Sequence, residues 1–525
     1  MLDPPLPDDL SAAHVMIRRL TETLAVKDEA IAHRDTEVAR LCLIIRKLQR
    51  LSFGKRSEKL DEGQLALGLE DLEAAVAGAQ AAAEQAAVAS GTTLAPGKAR
   101  GPITRGKLPG HLPRVEIVVD IEEKVCPCCG GALHQIGEDK SERLDVIPAQ
   151  YRVLVTRRPK YACRACTDGV VQAPAPARLI ESGLPTEATI AHVLVDKYAN
   201  HLPIYRQHQI LGRQGIDIDR SAIADWVGRA AFALKPVTAR MLELMKKSEK
   251  LFCDETTAPV LDPGRGKTKK GYLWAIARDD RAWAGPEPPG VVYIYAPGRA
   301  GEHARAALCG FNGILQVDGY AGYNALTDDR RKEPPATLVF CWTHWRREFF
   351  DLAKDGNAPI ATQTLARIAR LYAVEAEIRG RSAEERRAAR GELSKPIAES
   401  LFAFLEEKLE RIPQKSDLAK AIRYGIRRRE GLTSFLDDGR IEMDTNPVER
   451  LIRPIALNRK NALFAGSDEG GTNWGVVASL IETAKLNDVE PNAYLTDVLT
   501  KIVNGWPKSC LDDLLPWAYA ASNHR

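Results

Sequence analysis

"KLFCDETTAPV" (residues 250–260) is an apolar run that stops at an aspartate. "GILQVDGYAGYN" (313–324) repeats the pattern, so that Asp318 follows Asp254 by 64 positions. Each reads as a short buried strand that delivers a carboxylate at its end. Between them, "GYLWAIARDD" (271–280) and "GVVYIYAPG" (290–298) are two further strands, and a short helix follows around Glu302 to Leu308. "ATLVFCWTHW" (336–345) is a fifth strand. The element order is therefore β-β-β-α-β-α-β, with a helix still to come.

That is the order of a ribonuclease H-like domain, in which the first and fourth strands end side by side at the sheet's centre. Asp254 and Asp318 then land together. Adjacent carboxylates raise each other's pKa unless a cation sits between them. Mg²⁺ suits the position, because it takes one or two carboxylates, keeps waters and accepts phosphate oxygens. Either aspartate alone is ordinary at a strand end; the pair in this topology points to catalysis. Glu255 should point elsewhere along an extended strand. In "CWTHWRREF" (341–349), His344 lies just past the fifth strand, where it either positions a bound phosphate chain or packs in the core. Arg346 and Arg347 beside it can hold phosphate, and the aromatic residues of the segment are partly core. The C-x-x-H spacing has the form of a metal pair, with no partner pair near it in sequence. The core spans 248–349 and resumes with a last helix in 441–490. Residues 350–440 form an all-helical, charge-rich insertion, and 491–525 a helical tail.

The flanks describe a multidomain α+β chain. Its 525 residues allow roughly three or four domains. From Leu10 apolar residues recur every seven, at Leu10, Ile17, Leu24, Ile31, Val38 and Ile45. A second series follows at Ala13, Leu20, Lys27, Arg34, Leu41 and Leu48. Residues 1–55 therefore read as a two-stranded parallel coiled coil, the alternative being a helix folded on its own chain. Residues 56–112 are an Ala- and Gly-rich basic linker. In 113–178, one strand leads to Cys126 and Cys129, and "YRVLVTRRPKYA" (151–162) leads to Cys163 and Cys166. Two C-x-x-C knuckles supply four thiolates to one structural Zn²⁺ in a zinc ribbon, with Cys128 spare. Residues 179–240 read as three helices with helix-turn-helix spacing. That pattern is a DNA reader or a plain three-helix unit. Net charge is only +4, and the basic clusters at 98–114, 152–164, 265–270 and 427–429 are local. No run approaches the roughly 18–20 apolar residues of a membrane span. The acidic start lacks a secretory layout, and ten cysteines in so long a chain fit a reducing cytoplasm.

"MDTNPVERLIRPIALNRKNALFAGS" (443–467) holds, after Asp444, a lone acid, Glu449, among Arg450, Arg453, Arg459 and Lys460. Read locally, Asn446 is an N-cap, Pro447 the first helical residue and Glu449 the third, a variant capping box. The wider chain resembles the insertion-sequence-66 family of bacterial DDE transposases. The resemblance rests on "FGKRSEKL", "CPCCGG…CRAC", "DET", "DGYAGYN", "CWTHWRREF" and "NPVERLIRPIALNRKNALFAGSDEGG". It implies Asp254, Asp318 and Glu449 as an acidic triad holding two Mg²⁺, with Mn²⁺ able to substitute. It also implies binding to terminal inverted repeats, cleavage of the element's ends, and joining of the 3′-hydroxyls to target DNA. Arg450, Arg453, Arg459 and Lys460 would then lie along the DNA backbone. Two small accessory proteins of the same element are the implied partners. The family often carries Asn where this chain has Thr445, a departure expected to touch the cap and not the acid. Glu442 and Glu482 are the reserve candidates for the third acid. The rival readings are a nuclease that cuts without joining and a regulator with a decayed catalytic domain.

The six heptads predict dimerisation through residues 10–51. Deleting residues 1–55 should halve the solution mass in light scattering. An unchanged mass would make the segment an intramolecular helix.

Overall fold

The computed structural model describes residues 150–162, 170–181, 183–262, 266–327, 335–354 and 358–523. The coiled coil expected over residues 10–51 and the four knuckle cysteines, Cys126, Cys129, Cys163 and Cys166, lie outside the described residues. Two compact units divide the chain. The smaller covers 94–176, and the larger includes everything from 177 onward.

The described part of the smaller unit is an antiparallel hairpin of β1 (Lys160–Ala162) and β2 (Val170–Gln172). Gln172 Nε2 donates to the Arg158 carbonyl at 2.9 Å, which extends the pairing past the strand. The strand expected over 151–162 is thus only its last three residues.

The larger unit begins with three helices: α1 (Glu187–Tyr198), α2 (Ile204–Arg213) and α3 (Arg220–Met245). Thr186 caps α1 by accepting from the Thr189 N–H. These helices were expected as a domain of their own, ending at 240. Instead α3 runs on to Met245 and buries a stripe from Ile223 to Met245 within the larger unit. Thr238 donates to the Val476 carbonyl, and Arg240 pairs with Asp512, both across long sequence separations.

The central sheet has five strands: β3 (Lys250–Asp262), β4 (Lys267–Arg278), β5 (Gly290–Ala296), β6 (Ile314–Val317) and β7 (Thr337–Phe340), in the order β5-β4-β3-β6-β7. β3 and β4 form a long antiparallel hairpin with Asp254 opposite Ala275. β3 also pairs parallel with β6, and β6 with β7. Leu251, Phe252, Cys253 and residues 273–277 are wholly buried, as expected of strands covered on both faces. A short helix, α4 (Gly301–Ala307), connects β5 to β6. The connection from β6 to β7 begins as a 3₁₀ turn, Ala321–Leu326, where a helix was expected.

Strand β7 ends at Phe340, five residues before the end of the expected strand. Cys341 is the N-cap of helix α5 (Trp342–Ala353), so Trp342, Trp345 and Phe349 belong to a helix. They form the middle of a second hydrophobic core with α6 (Pro359–Ile378), α8 (Lys395–Glu410), α9 (Asp417–Ile426) and α10 (Arg429–Thr433), while the short α7 (Ala383–Ala389) adds buried Arg386 beside it. The helical insertion therefore starts at Trp342 and not at residue 350. A π turn (Arg390–Ser394) links α7 to α8 and points buried Arg390 at the carbonyls of Phe435, Asp438 and Ile441. Glu375 balances its charge at 2.7 Å. With that, the chain after α10 is tied down before it re-enters the first core.

It returns as α11 (Asn446–Ala462), followed by α12 (Asp468–Leu486), α13 (Pro491–Val503) and α14 (Pro516–Asn523). α12 closes the edge strand β5. Its Ser479 accepts from the Tyr293 N–H, and Thr483 exchanges hydrogen bonds with both backbone groups of Val291. Gly475 makes this approach possible, since a Cβ there would lie 2.6 Å from the Tyr293 carbonyl oxygen. A helix thus does for this edge what a further strand would. Among the described residues, no helix is long and apolar enough to cross a membrane.

In the insertion, a Cβ on Gly425 would lie 2.0 Å from the Trp345 ring. Gly425→Ala should therefore cost about 1–3 kcal/mol through overpacking. A lowered thermal midpoint, with secondary structure intact by circular dichroism, is the expected result.

Candidate active site

Register puts the two aspartates together. Lys250, Leu251 and Phe252 face Ile314, Leu315 and Gln316 across the parallel pair, a constant offset of 64. Continued by two residues, the same offset sets Asp254 level with Asp318. Because strand side chains alternate, both leave the same face as Phe252 and Gln316. Burial holds the Asp254 carboxyl well above the usual carboxylate range, and Asp318, Glu255 and Glu449 push it further the same way; His344 opposes them. Three acids thus surround Asp254. A bound cation would relieve that repulsion.

Local hydrogen bonds set each aspartate. Asp254 Oδ1 accepts from the Glu255 N–H at 2.7 Å, and Asp318 Oδ1 from the Tyr320 N–H at 2.8 Å. Glu255 turns away, as expected from alternation. Arg299 and the Tyr323 hydroxyl both donate to it, Tyr323 at 2.8 Å. The turn after Asp318 is held by the insertion, a contact that no local sequence pattern marks. Tyr424 Oη donates to the Asp318 carbonyl at 2.8 Å, and Arg428 to the Gly319 carbonyl at 3.3 Å. Gly319 has φ +94°, and a Cβ there would lie 2.7 Å from Tyr424 Oη, so both conformation and space require glycine.

The third acid sits in the first turn of α11. Glu449 is only 4 % exposed. Segment 440–445 is fastened before it: Lys250 Nζ donates to the Arg440 carbonyl at 2.7 Å, and the Gln316 amide bonds both backbone groups of Glu442. The expected capping box is absent. The N-cap is Thr445, not Asn446, and no side chain caps the helix; Asn446 instead bonds Asp444 through its backbone and its amide. The Thr445 hydroxyl donates to Glu449 Oε1 at 2.7 Å. So the departure at Thr445 does touch the acid. Oε2 of Glu449 is buried without a hydrogen-bond partner.

His344, in the first turn of α5, is part-exposed and brings Nδ1 to 3.8 Å from Glu449 Oε1. Cys341 lies close by, so that one ligand atom from each of Cys341, His344 and Glu449 falls within 4.8 Å of the others. Among the described residues, Asp254, Asp318 and Glu449 do not close to that separation. Asp318 and Glu449 are nonetheless near enough to raise the Asp254 carboxyl. Neither reserve acid competes for the role. Glu442 is paired with buried Arg386 at 2.8 Å, and Glu482 with Lys485 at 2.8 Å.

The basic residues divide. Arg346 is 5 % exposed with its guanidinium over the Phe350 ring, and burial leaves it no surface from which to meet a phosphate. Arg347 is half-buried, and desolvation lowers its pKa against the pull of Glu449. Arg459 is spent on structure, donating to the Thr257 carbonyl at 2.7 Å and so tying α11 to β3. Arg450 is exposed, while Arg453 and Lys460 are half-buried.

Comparison with known proteins gives the class first: the family matches describe parts of transposases. Residues 182–473, more than half of the chain, match the transposase IS66 family, and the chain belongs to that family. Residues 123–167 match the zinc-finger binding domain of transposase IS66, a span that contains Cys126, Cys129, Cys163 and Cys166. Residues 40–117 match the "Transposase C of IS166 homeodomain" and 479–517 the IS66 C-terminal element. Among similar proteins, the uncharacterized protein y4qI of Sinorhizobium fredii is 43 % identical over 535 residues, covering 98 % of each chain. The uncharacterized protein y4jD of the same organism is 43 % identical over 508 residues, 95 % of this chain and 99 % of that one. A third, y4hP, is 37 % identical over 497 residues.

Asp444 supplies a pH test of the segment that carries Glu449. Burial, with Glu442 and Glu449, pushes its carboxyl up to about 7 against the lowering effect of the Asn446 N–H. The folded protein then keeps a proton that the unfolded chain has lost above about pH 4. Stability should fall as pH rises from about 4 to 7. Asp444→Asn should flatten that fall in urea midpoints measured across the window. An unaltered slope would mean that Asp444 ionises normally.

Proposed function

We propose that the protein is a DDE transposase with a ribonuclease H-like core. It would bind the terminal inverted repeats of its element, cleave the ends and join the freed 3′-hydroxyls to target DNA. The sheet order β5-β4-β3-β6-β7, with β3 antiparallel to β4 and parallel to β6, supports the reading of the core. One observation carries the function: the in-register pairing of β3 with β6 sets Asp254 level with Asp318, with Glu449 near enough to raise the Asp254 pKa.

The donor set fits Mg²⁺, being three carboxylates of which one keeps a buried oxygen unpartnered. Bound there, two ions would supply the Lewis acidity that activates water or a 3′-hydroxyl and stabilises the leaving oxygen. The chain's own residues do the positioning. Strand register holds Asp254 and Asp318, the Thr445 hydroxyl orients Glu449, and Arg299 with Tyr323 keeps Glu255 out of the way. Tyr424 and Arg428 hold the turn after Asp318, so that the insertion steadies the site it adjoins. Such preorganisation contributes to rate by alignment and by placing charge in advance. Arg450, Arg453 and Lys460 along α11 would meet the DNA backbone, and α2 with the first turns of α3 would read duplex DNA. The zinc-finger region would hold one structural Zn²⁺ through its four thiolates. Dimerisation through the N-terminal heptads and help from two small accessory proteins complete the proposal.

Glu449→Gln keeps the shape of the side chain and can still accept from Thr445. The variant should bind inverted-repeat DNA normally yet neither cleave nor join it in Mg²⁺ or Mn²⁺. Cleavage at near wild-type rate would strike Glu449 from the triad. Cleavage without joining, by the wild-type protein given donor and target DNA together, would favour the nuclease reading.

A further inference from the structure

Two buried atoms near the start of α11 lack hydrogen-bond partners: Oε2 of Glu449 and Nδ1 of His344. They do not satisfy each other. His344 Nδ1 also stands 3.8 Å from the other carboxylate oxygen, Oε1, too long for a hydrogen bond. Cys341 is the third member, wholly buried, with its ligand atom inside the same 4.8 Å cluster. It caps α5, and His344 follows three residues later, so one helical turn presents both to Glu449. The Thr445 N–H donates to Cys341 Sγ at 3.3 Å, the kind of outer hydrogen bond that orients a metal ligand.

We propose that Cys341, His344 and Glu449 form a site for a single transition-metal cation of the Zn²⁺ class, separate from the four knuckle cysteines. The donor set decides the class. Thiolate and imidazole suit zinc-like ions, whereas Mg²⁺ prefers oxygen. Around a tetrahedral ion with bonds of about 2.0–2.3 Å, ligand atoms lie roughly 3.3–3.8 Å apart. The 3.8 Å from His344 Nδ1 to Glu449 Oε1 lies at the upper end of that range and outside hydrogen-bond range. Binding converts the Cys341 thiol to thiolate and releases its proton to solvent. Three protein ligands leave a fourth position, the pattern of an accessible site and not of a sealed structural one.

A consequence follows that rests on the role proposed above for Glu449. An ion held by Cys341 and His344 would claim the carboxylate needed for Mg²⁺, so zinc-class ions would oppose cleavage. The site itself does not depend on that role.

The test is read without DNA, so its failure is distinct from failure of the transposase reading. Full-length protein is loaded with Zn²⁺ to fill the zinc-finger region, cleared of weakly held metal by brief chelation, and titrated with Co²⁺. The expected result is one further equivalent, with thiolate-to-cobalt charge-transfer absorption in the near ultraviolet and four-coordinate bands in the visible. Cys341→Ser should abolish the charge-transfer band. His344→Gln, at a part-exposed position that spares the buried thiol, should weaken cobalt binding by more than about tenfold, the least that loss of even an outer-shell partner costs. A charge-transfer band that persists in Cys341→Ser, or no cobalt uptake beyond the loaded zinc, would overturn the proposal.

Discussion

The parallel pairing of β3 with β6 is the contact on which the rest of the structure depends. It forces two carboxylates to one level of a buried sheet, where Asp318 opposes the ionisation of Asp254. Strand register admits no compromise, because a slip of one residue would send every side chain to the opposite face. Asp254 records the cost, its carboxyl held high by burial and by three neighbouring acids. The surrounding fold keeps that tension in place. Glu255 is bound off by Arg299 and Tyr323, and α12 covers the β5 edge of the sheet.

The insertion is the second half of that support. Its core is built on Trp342 and Trp345, the first of them two residues past the end of β7. From there α9 reaches back, and Tyr424 and Arg428 grasp the carbonyls of Asp318 and Gly319. The far end of the insertion is locked by Arg390, which gathers three carbonyls between 435 and 441. Those carbonyls lead directly to the segment that carries Glu449. The insertion thus connects the second acid to the third, and the charge-rich stretch between them is a brace.

How much of this was legible follows from what each pattern encodes. Strand periodicity and the 64-residue spacing of Asp254 and Asp318 were readable, because register in a parallel pair is a matter of counting. The start of α5 was not. "FCWTHW" is apolar and aromatic, and such a run fits a buried strand or a buried helix equally until a partner is known. Nor was the buried stripe of α3, since a three-helix pattern says nothing of what lies against its faces. The hold on Asp318 depends on Tyr424, over a hundred residues away, and no local pattern marks that contact. Gly319 did carry a trace of it, as a glycine directly after the acid where the backbone turns left-handed.

Thr445 shows how a local reading can invert a residue's importance. Read as sequence, it stands beside a cap and concerns helix stability. In the structure no side chain caps α11 at all, and the Thr445 hydroxyl spends its proton on Glu449 Oε1. An asparagine at the same position would carry a side-chain amide, which is also a donor. The two residue types differ in shape and in helix preference, yet share the one property that a buried carboxylate requires of its neighbour. What Thr445 supplies in this chain is therefore a hydrogen-bond donor aimed at the acid. That donor satisfies one oxygen of Glu449 and leaves the other for a cation.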